Sequence, residues 1–331
     1  MSHELTETNG IVEFAYRADH GLPWHGLGQA VPAADFANMD AWRTHAGMQW
    51  KVARSRVRFG EGASQQTWDD QHVLFRSDTK APLGIVSPGF KIVQPAEVLD
   101  FFRDLATAAG VEMSAAGTLQ GGRRFWGTAK FAEGSPISKG DRLTGYLLFT
   151  TGADGGTATT IARRVTRAVC ANTIAMANAE GAAEFRLTHR SEFDARAVKD
   201  FMGLSAQTWA DFKANALRLA NKPVDDARAA VFVANLLANV KLSDATDAAG
   251  KARAKAVESA GFDKVIRLFK GDAKGSDFDG VQGTAWGLLN AVTEYADHHV
   301  RAHNDANRLL SAQWGAGNEL KSRTLATLLA A

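Results

Sequence analysis

Apolar positions recur every second residue through much of the first 190 positions and every third or fourth position after that. The first period belongs to strands, the second to helices. Met48, Trp50 and Val52 alternate with polar neighbours, and Arg54, Arg56 and Arg58 continue the same parity. A straight strand there changes one face from apolar to cationic along its length. A Gly/Ser/Gln break at 60–66 precedes residues 72–93, which predict two strands around a turn at Asp78–Pro82 and a second break at Pro88–Gly89. Two helices interrupt the strands. Phe36, Met39 and Trp42 predict a short one over Asp35–Ala46, and Val98, Leu99, Phe102 and Leu105 form one face over Gln94–Ala109. Pro95 suits the first turn of the second helix. Two hairpin-like segments lead to residues 123–132, where Arg124, Trp126 and Thr128 fall on one face. Gly134–Gly140 predicts a turn before the strand that carries Tyr146 to Thr151.

From about Ser191 the period changes. Residues 194–220, 227–240 and 262–271 are amphipathic and rich in Ala and Leu. Gly271–Gly283 reads as a loop, and 284–314 as one long helix or two, with Trp286, Leu288, Leu289, Val292, Thr293 and Tyr295 on a broad buried face. The pattern predicts an α+β chain: a mixed sheet with hairpins and helices over 1–190, then an all-α region over 191–331.

Composition narrows the function classes. The chain has 331 residues, 45% hydrophobic and 22% charged, with a formal net charge of +2. That balance gives no global attraction to nucleic acid or membrane, so local clusters matter more. Residues 46–58 carry four basic side chains and no acidic one, whereas 1–45 carry two basic and six acidic ones. A single cysteine, Cys170, excludes an intrachain disulfide framework and a Cys-rich zinc site. No apolar run approaches the roughly 20 residues that span a bilayer, and the acidic N-terminus lacks the start of a signal peptide. The expectation is a cytoplasmic protein with no membrane partner.

Several segments, in order, carry a resemblance. They are VLFRSDTKAPLGIV (73–86), FKIVQPAEVLDFF (90–102), GTLQGGRRFWGTAKF (117–131), GDRLTGYLLFTTGADGG (140–156), RAVCANTIAMA (167–177), GTAWGLLNAVTEYADH (283–298) and NRLLSAQWGAGNELK (307–321). Together they resemble a phage- and plasmid-associated family, the domain of unknown function numbered 932. The resemblance implies a gene carried by mobile elements and implies no reaction. The family pattern places a histidine before the Asp-Gly pair, and this chain has Ala153 there.

The residues offer several chemistries. No GxGxxG opens a helix after a strand, and GADGG at 152–156 and GTLQGG at 117–122 read as hairpin turns. Cys170 sits in an apolar stretch and reads as core. His299 and His303, four apart, would share a helix face, but no third ligand accompanies them. Asp69–Asp70 and Asp225–Asp226 are adjacent pairs and read as turn or N-cap residues. A hydrolase using Asp154 with His189 or His25 is the weakest reading.

Basic residues interleaved with aromatics carry the leading one. Lys51, Arg54, Arg56 and Arg58 follow Trp50; Arg123 and Arg124 precede Phe125 and Trp126; Arg163, Arg164 and Arg167 follow the hairpin. Cations track phosphates and aromatic faces stack on unpaired bases. The expectation is a non-enzymatic, single-stranded DNA-binding homo-oligomer of a mobile element, acting in recombination or replication by strand annealing, with no cofactor or metal. Trp50 or Trp126 would stack on bases. The alternative is a phage assembly or protein-interaction module that ignores DNA. The two differ on whether segments 51–58, 123–124 and 163–167 converge on one surface.

Overall fold

A computed structural model of the chain describes residues 6–20, 27–167, 173–175, 184–187, 209–303 and 305–330. Cys170, His25 and His189 lie outside the described residues, as do Trp24 and the side chain of Arg167. The fold is α+β, with sheets in the first part and helices in the second.

A short hairpin, β1 (Glu7–Thr8) and β2 (Ile11–Val12), opens the chain. The main sheet is built from β3 (Phe14–Arg17), β4 (Gln29–Val31), β8 (Glu112–Leu119), β9 (Arg124–Ser138), β10 (Asp141–Gly152), β11 (Thr159–Arg167), β12 (Thr173–Ala175) and β13 (Glu184–Leu187). Its order is β12-β11-β10-β9-β8-β3-β4, and β13 shares the outer edge of β11 with β12. Every pair is antiparallel except β3–β4. A second sheet, β5 (Val52–Phe59), β6 (Gln66–Arg76) and β7 (Pro82–Val86), is a meander.

Alternation decides which residues the main sheet buries on each side. On the front face, Phe125, Ala129, Leu147, Phe149 and Ile161 are buried. They meet α1 (Met39–His45) and α2 (Pro95–Ala108) in one core. α2 buries Val98, Leu99, Phe102 and Leu105, the face its spacing predicts, and Phe102 stacks on Phe149 with centroids 5.7 Å apart. Gly127 lies directly beneath the Phe102 ring, where a Cβ would collide with it. Pro95 occupies the first turn, and Glu97 accepts the Gln94 N–H at 2.9 Å. The Gln94 side chain also pairs with both backbone groups of Val52, at 2.9 and 3.0 Å, tying α2 to the start of β5.

The helical part comprises α3 (209–220), α4 (Asp226–Ala238), α5 (Asp247–Val257), α6 (Ala260–Arg267), α7 (Ala285–Glu294), α8 (Asp305–Trp314) and α9 (Ala316–Ala330). α7 is buried along its whole length. The helices form a second core that includes Ile137, Leu143 and Val165 of the sheet. Trp286 of α7 donates its indole N–H to Asp141 of β10 at 3.0 Å.

Two local expectations change, one helix was missed, and the choice left open for 284–314 is decided. The 134–140 turn shrinks to Lys139–Gly140, because β9 runs on to Ser138 through register shifts against β10. The predicted break stands over 60–65, around a short turn at Gly62–Ser64, but the strand after it starts at Gln66 and not at His72. α5 was not legible from its apolar spacing; its signal is Thr246, whose hydroxyl caps the Ala249 N–H at 3.3 Å. The 284–314 stretch divides at a π-helical turn, Tyr295–His299, where α7 ends. His303 therefore lies beyond that helical run, and the shared-face geometry with His299 does not form.

Candidate functional site

The basic residues separate into distinct places. β11 carries Arg163 and Arg164 on opposite faces, because adjacent strand residues alternate. Arg163 is 1% exposed and stands on the front face, in register with Leu147. Arg164 is 4% exposed on the back face, where its Nη2 donates to the Gln313 carbonyl at 3.1 Å. Burial pushes the Arg163 guanidinium below its ordinary pKa. Neither side chain reaches a phosphate in this fold. Their apolar flanks, Ile161–Ala162 and Val165, were the sequence signal for burial.

Arg123 is exposed near the start of β7, with Nη2 3.5 Å from the Pro82 carbonyl. Arg124 and Trp126 are half-buried on the back face. The Arg124 guanidinium lies 4.7 Å from the Trp314 ring centre, and Trp126 stacks on Phe14 at 5.4 Å. Trp50 is buried beneath Arg76, whose guanidinium is 4.1 Å from the ring centre. Arg76 in turn pairs with Glu13 at 2.6 Å and Asp78 at 2.7 Å. Trp50 is thus unavailable to a base. The three basic segments do not converge on one surface.

What remains is one exposed element. β5 and β6 project as a two-stranded arm, buried at its base and open on both faces beyond Ser55. The predicted change of face holds: Met48, Trp50 and Val52 are buried, and Arg54, Arg56 and Arg58 follow them into solvent. Lys51 is exposed at the base, its N–H donating to the Ser77 hydroxyl at 2.9 Å. Alternate arginines on a strand stand about 6.6 Å apart. Arg54 donates to the Pro88 carbonyl at 3.2 Å, and Arg56 lies 3.8 Å from Asp69, an exposed ion pair that solvent screens. A bulge in β6 lets Arg56 pair with His72 and Val57 with Trp68.

The other side of the meander exposes large apolar side chains among polar ones. Phe59 is 52% exposed, Trp68 47% and Ile85 59%. Sequence reasoning missed Trp68. Its signal is an aromatic whose same-face neighbours, Gln66 and Asp70, are both polar, so no core lies on that side of the strand.

Asp154 is structural in this setting. Its carboxylate accepts from the N–H groups of Gly156 and Thr157 at 3.0 and 2.8 Å and from the Thr157 hydroxyl at 2.7 Å, closing the β10–β11 turn. Among the described residues no group of three His, Cys, Asp or Glu side chains could hold a metal, and no helix is long and apolar enough to cross a membrane. A groove of about 480 Å³ between α4, α5 and α6 is walled by Val231, Leu242, Val257 and Phe262. Its one arginine, Arg253, is held by Asn235 and the Lys241 and Asp244 carbonyls, which leaves no reactive constellation there.

No curated protein and no solved structure is similar enough to the chain to count as a match. A family model does match, over residues 82–314, which include β7, the main hairpin and the helices through α8. The chain belongs to the family described as a domain of unknown function, DUF932.

Proposed function

We propose that the protein binds single-stranded nucleic acid through the β5–β6 arm, and that it serves strand handling in the recombination or replication of a mobile element. One observation carries the reading: Arg54, Arg56 and Arg58 share one exposed face of a projecting ribbon. Phosphates would lie along that face, and Phe59 and Trp68 near the tip offer open aromatic faces to bases wrapping the ribbon's edge. Arg163, Arg164 and Trp50 have no part in it.

Anisotropy titration of a labelled single-stranded oligonucleotide at several salt concentrations tests this. Each phosphate neutralised contributes about −0.7 to the slope of log K against log salt for single strands. Substituting Arg54, Arg56 and Arg58 together with alanine should make the slope shallower by about 2. Equal slopes for parent and variant would sink the reading.

The exposed apolar face favours a second reading, an assembly module. Phe59, Trp68 and Ile85 point outward on one side of the meander and offer apolar contacts to a second copy of the chain. Light scattering separates the two. A defined oligomer that dissociates in Trp68→Ala, with no response to oligonucleotide, selects the assembly role.

A further inference from the structure

The back face of the main sheet holds a cluster of buried polar groups that the fold does not use. Trp126, Thr150 and Thr160 are direct cross-strand neighbours on β9, β10 and β11, and Arg124 lies two residues from Trp126 on the same face. The end of α8 reaches this face: the Trp314 ring lies 4.7 Å from the Arg124 guanidinium, and the Gln313 carbonyl accepts from Arg164. Thr150 is 2% exposed and Thr160 6% exposed, and neither hydroxyl has a hydrogen-bond partner. Arg124 Nε and Nη1, Gln313 Oε1 and Trp314 Nε1 are likewise buried and unpartnered. Native folds seldom leave such groups unsatisfied without a role.

The adjacent threonine pair offers a contrast. On the front face, one position beyond the paired ladder, the Thr151 and Thr159 hydroxyls meet at 2.8 Å. Thr150 and Thr160, one position along on the same two strands, are opposed in register, yet their hydroxyls do not meet each other or any other partner. Burial pushes the Arg124 guanidinium below its ordinary pKa, with Asp154 opposing the shift. A partly buried, under-partnered cation gains from a well-placed anion.

We propose that this seat binds a small oxyanion, a phosphate or carboxylate group. Arg124 supplies the charge, Thr150 and Thr160 donate hydroxyl hydrogens from the floor, and the Trp314 N–H closes the mouth. Trp126 forms a wall; its indole nitrogen leans toward Gly117 and takes no part in the contact. Arg124 and Trp314 are partly exposed, which leaves an entry from solvent. The proposal is independent of the nucleic-acid reading.

Calorimetric titration of the full chain with inorganic phosphate, a nucleoside monophosphate and citrate, each separately, tests it and distinguishes the source of the anion. At least one probe should saturate. Arg124→Gln should weaken it at least tenfold and Thr150→Val several-fold, while the Arg54/Arg56/Arg58 alanine variant binds as the parent does. A second signature guards against misfolding. Removing a buried hydroxyl that has no partner should leave the ligand-free melting temperature of Thr150→Val and Thr160→Val equal to or above the parent's, and Thr160→Ser should retain binding. Failure of all three probes to saturate, or parent-like binding by both Arg124→Gln and Thr150→Val, overturns the proposal.

Discussion

Lys321 shows how much a single residue can weigh in this fold. The side chain is 1% exposed, and its Nζ donates to Asp297 at 2.6 Å. Burial holds the ammonium below its ordinary pKa, with Asp297 opposing that shift. Removing one partner of a buried pair typically costs about 3–5 kcal/mol, whereas replacing both by apolar groups of similar volume can be neutral. Lys321→Ala should therefore destabilise by about that amount in urea unfolding, and Lys321→Met with Asp297→Leu should recover most of the loss. A single variant that unfolds like the parent would show that the pair contributes nothing. The two residues are separated by 24 positions and meet only because α9 packs beside the π-helical turn, so no local spacing announces them. The same holds for Thr150 and Thr160, which are ordinary strand threonines until the register sets them opposite each other.

Elements were far more legible than residues. α2, with its proline start and apolar stripe, and the meander around Asp78–Pro82 follow directly from period and turn chemistry. β9 was cut short because Gly134 and Pro136 suggest a turn, yet bulged pairing to β10 absorbs both. The arm was half legible: parity gave its cationic face, but nothing local said that no layer would cover it. Between elements, Gly84 of β7 sits against the Asp154 backbone at the β10–β11 turn, and a Cβ there would collide with it. Gly84→Ala should push the meander off that turn and cost about 1–3 kcal/mol, as overpacking does. A chemical-denaturation midpoint equal to the parent's would contradict that contact.

At the scale of the molecule, the two cores share one sheet. α1 and α2 cover one end of the front face, and the helical part covers the other through Ile137, Leu143 and Val165. Division of the chain at about residue 190 thus cuts the second core away from its sheet. A fragment of residues 1–190 should bind a hydrophobic dye and self-associate, while the full chain unfolds with coincident far- and near-ultraviolet circular dichroism transitions. A well-dispersed, monomeric fragment with a sharp melt would instead establish two independent folding units. The sequence announced the change of period near residue 191, but period alone does not say which face a helix will cover.

The β9–β10 hairpin also fixes an order of events. It is complete in the growing chain at Gly152, but Leu143 and Ile137 find their apolar neighbours in helices that lie after residue 208. Synthesis proceeds at about 5–20 residues per second, so the hairpin's distal half stands bare for several seconds before α3 begins to emerge and for roughly ten to thirty-five seconds before α9 is complete. Anything that slows translation between those points lengthens the interval in which two nascent chains can pair through that half.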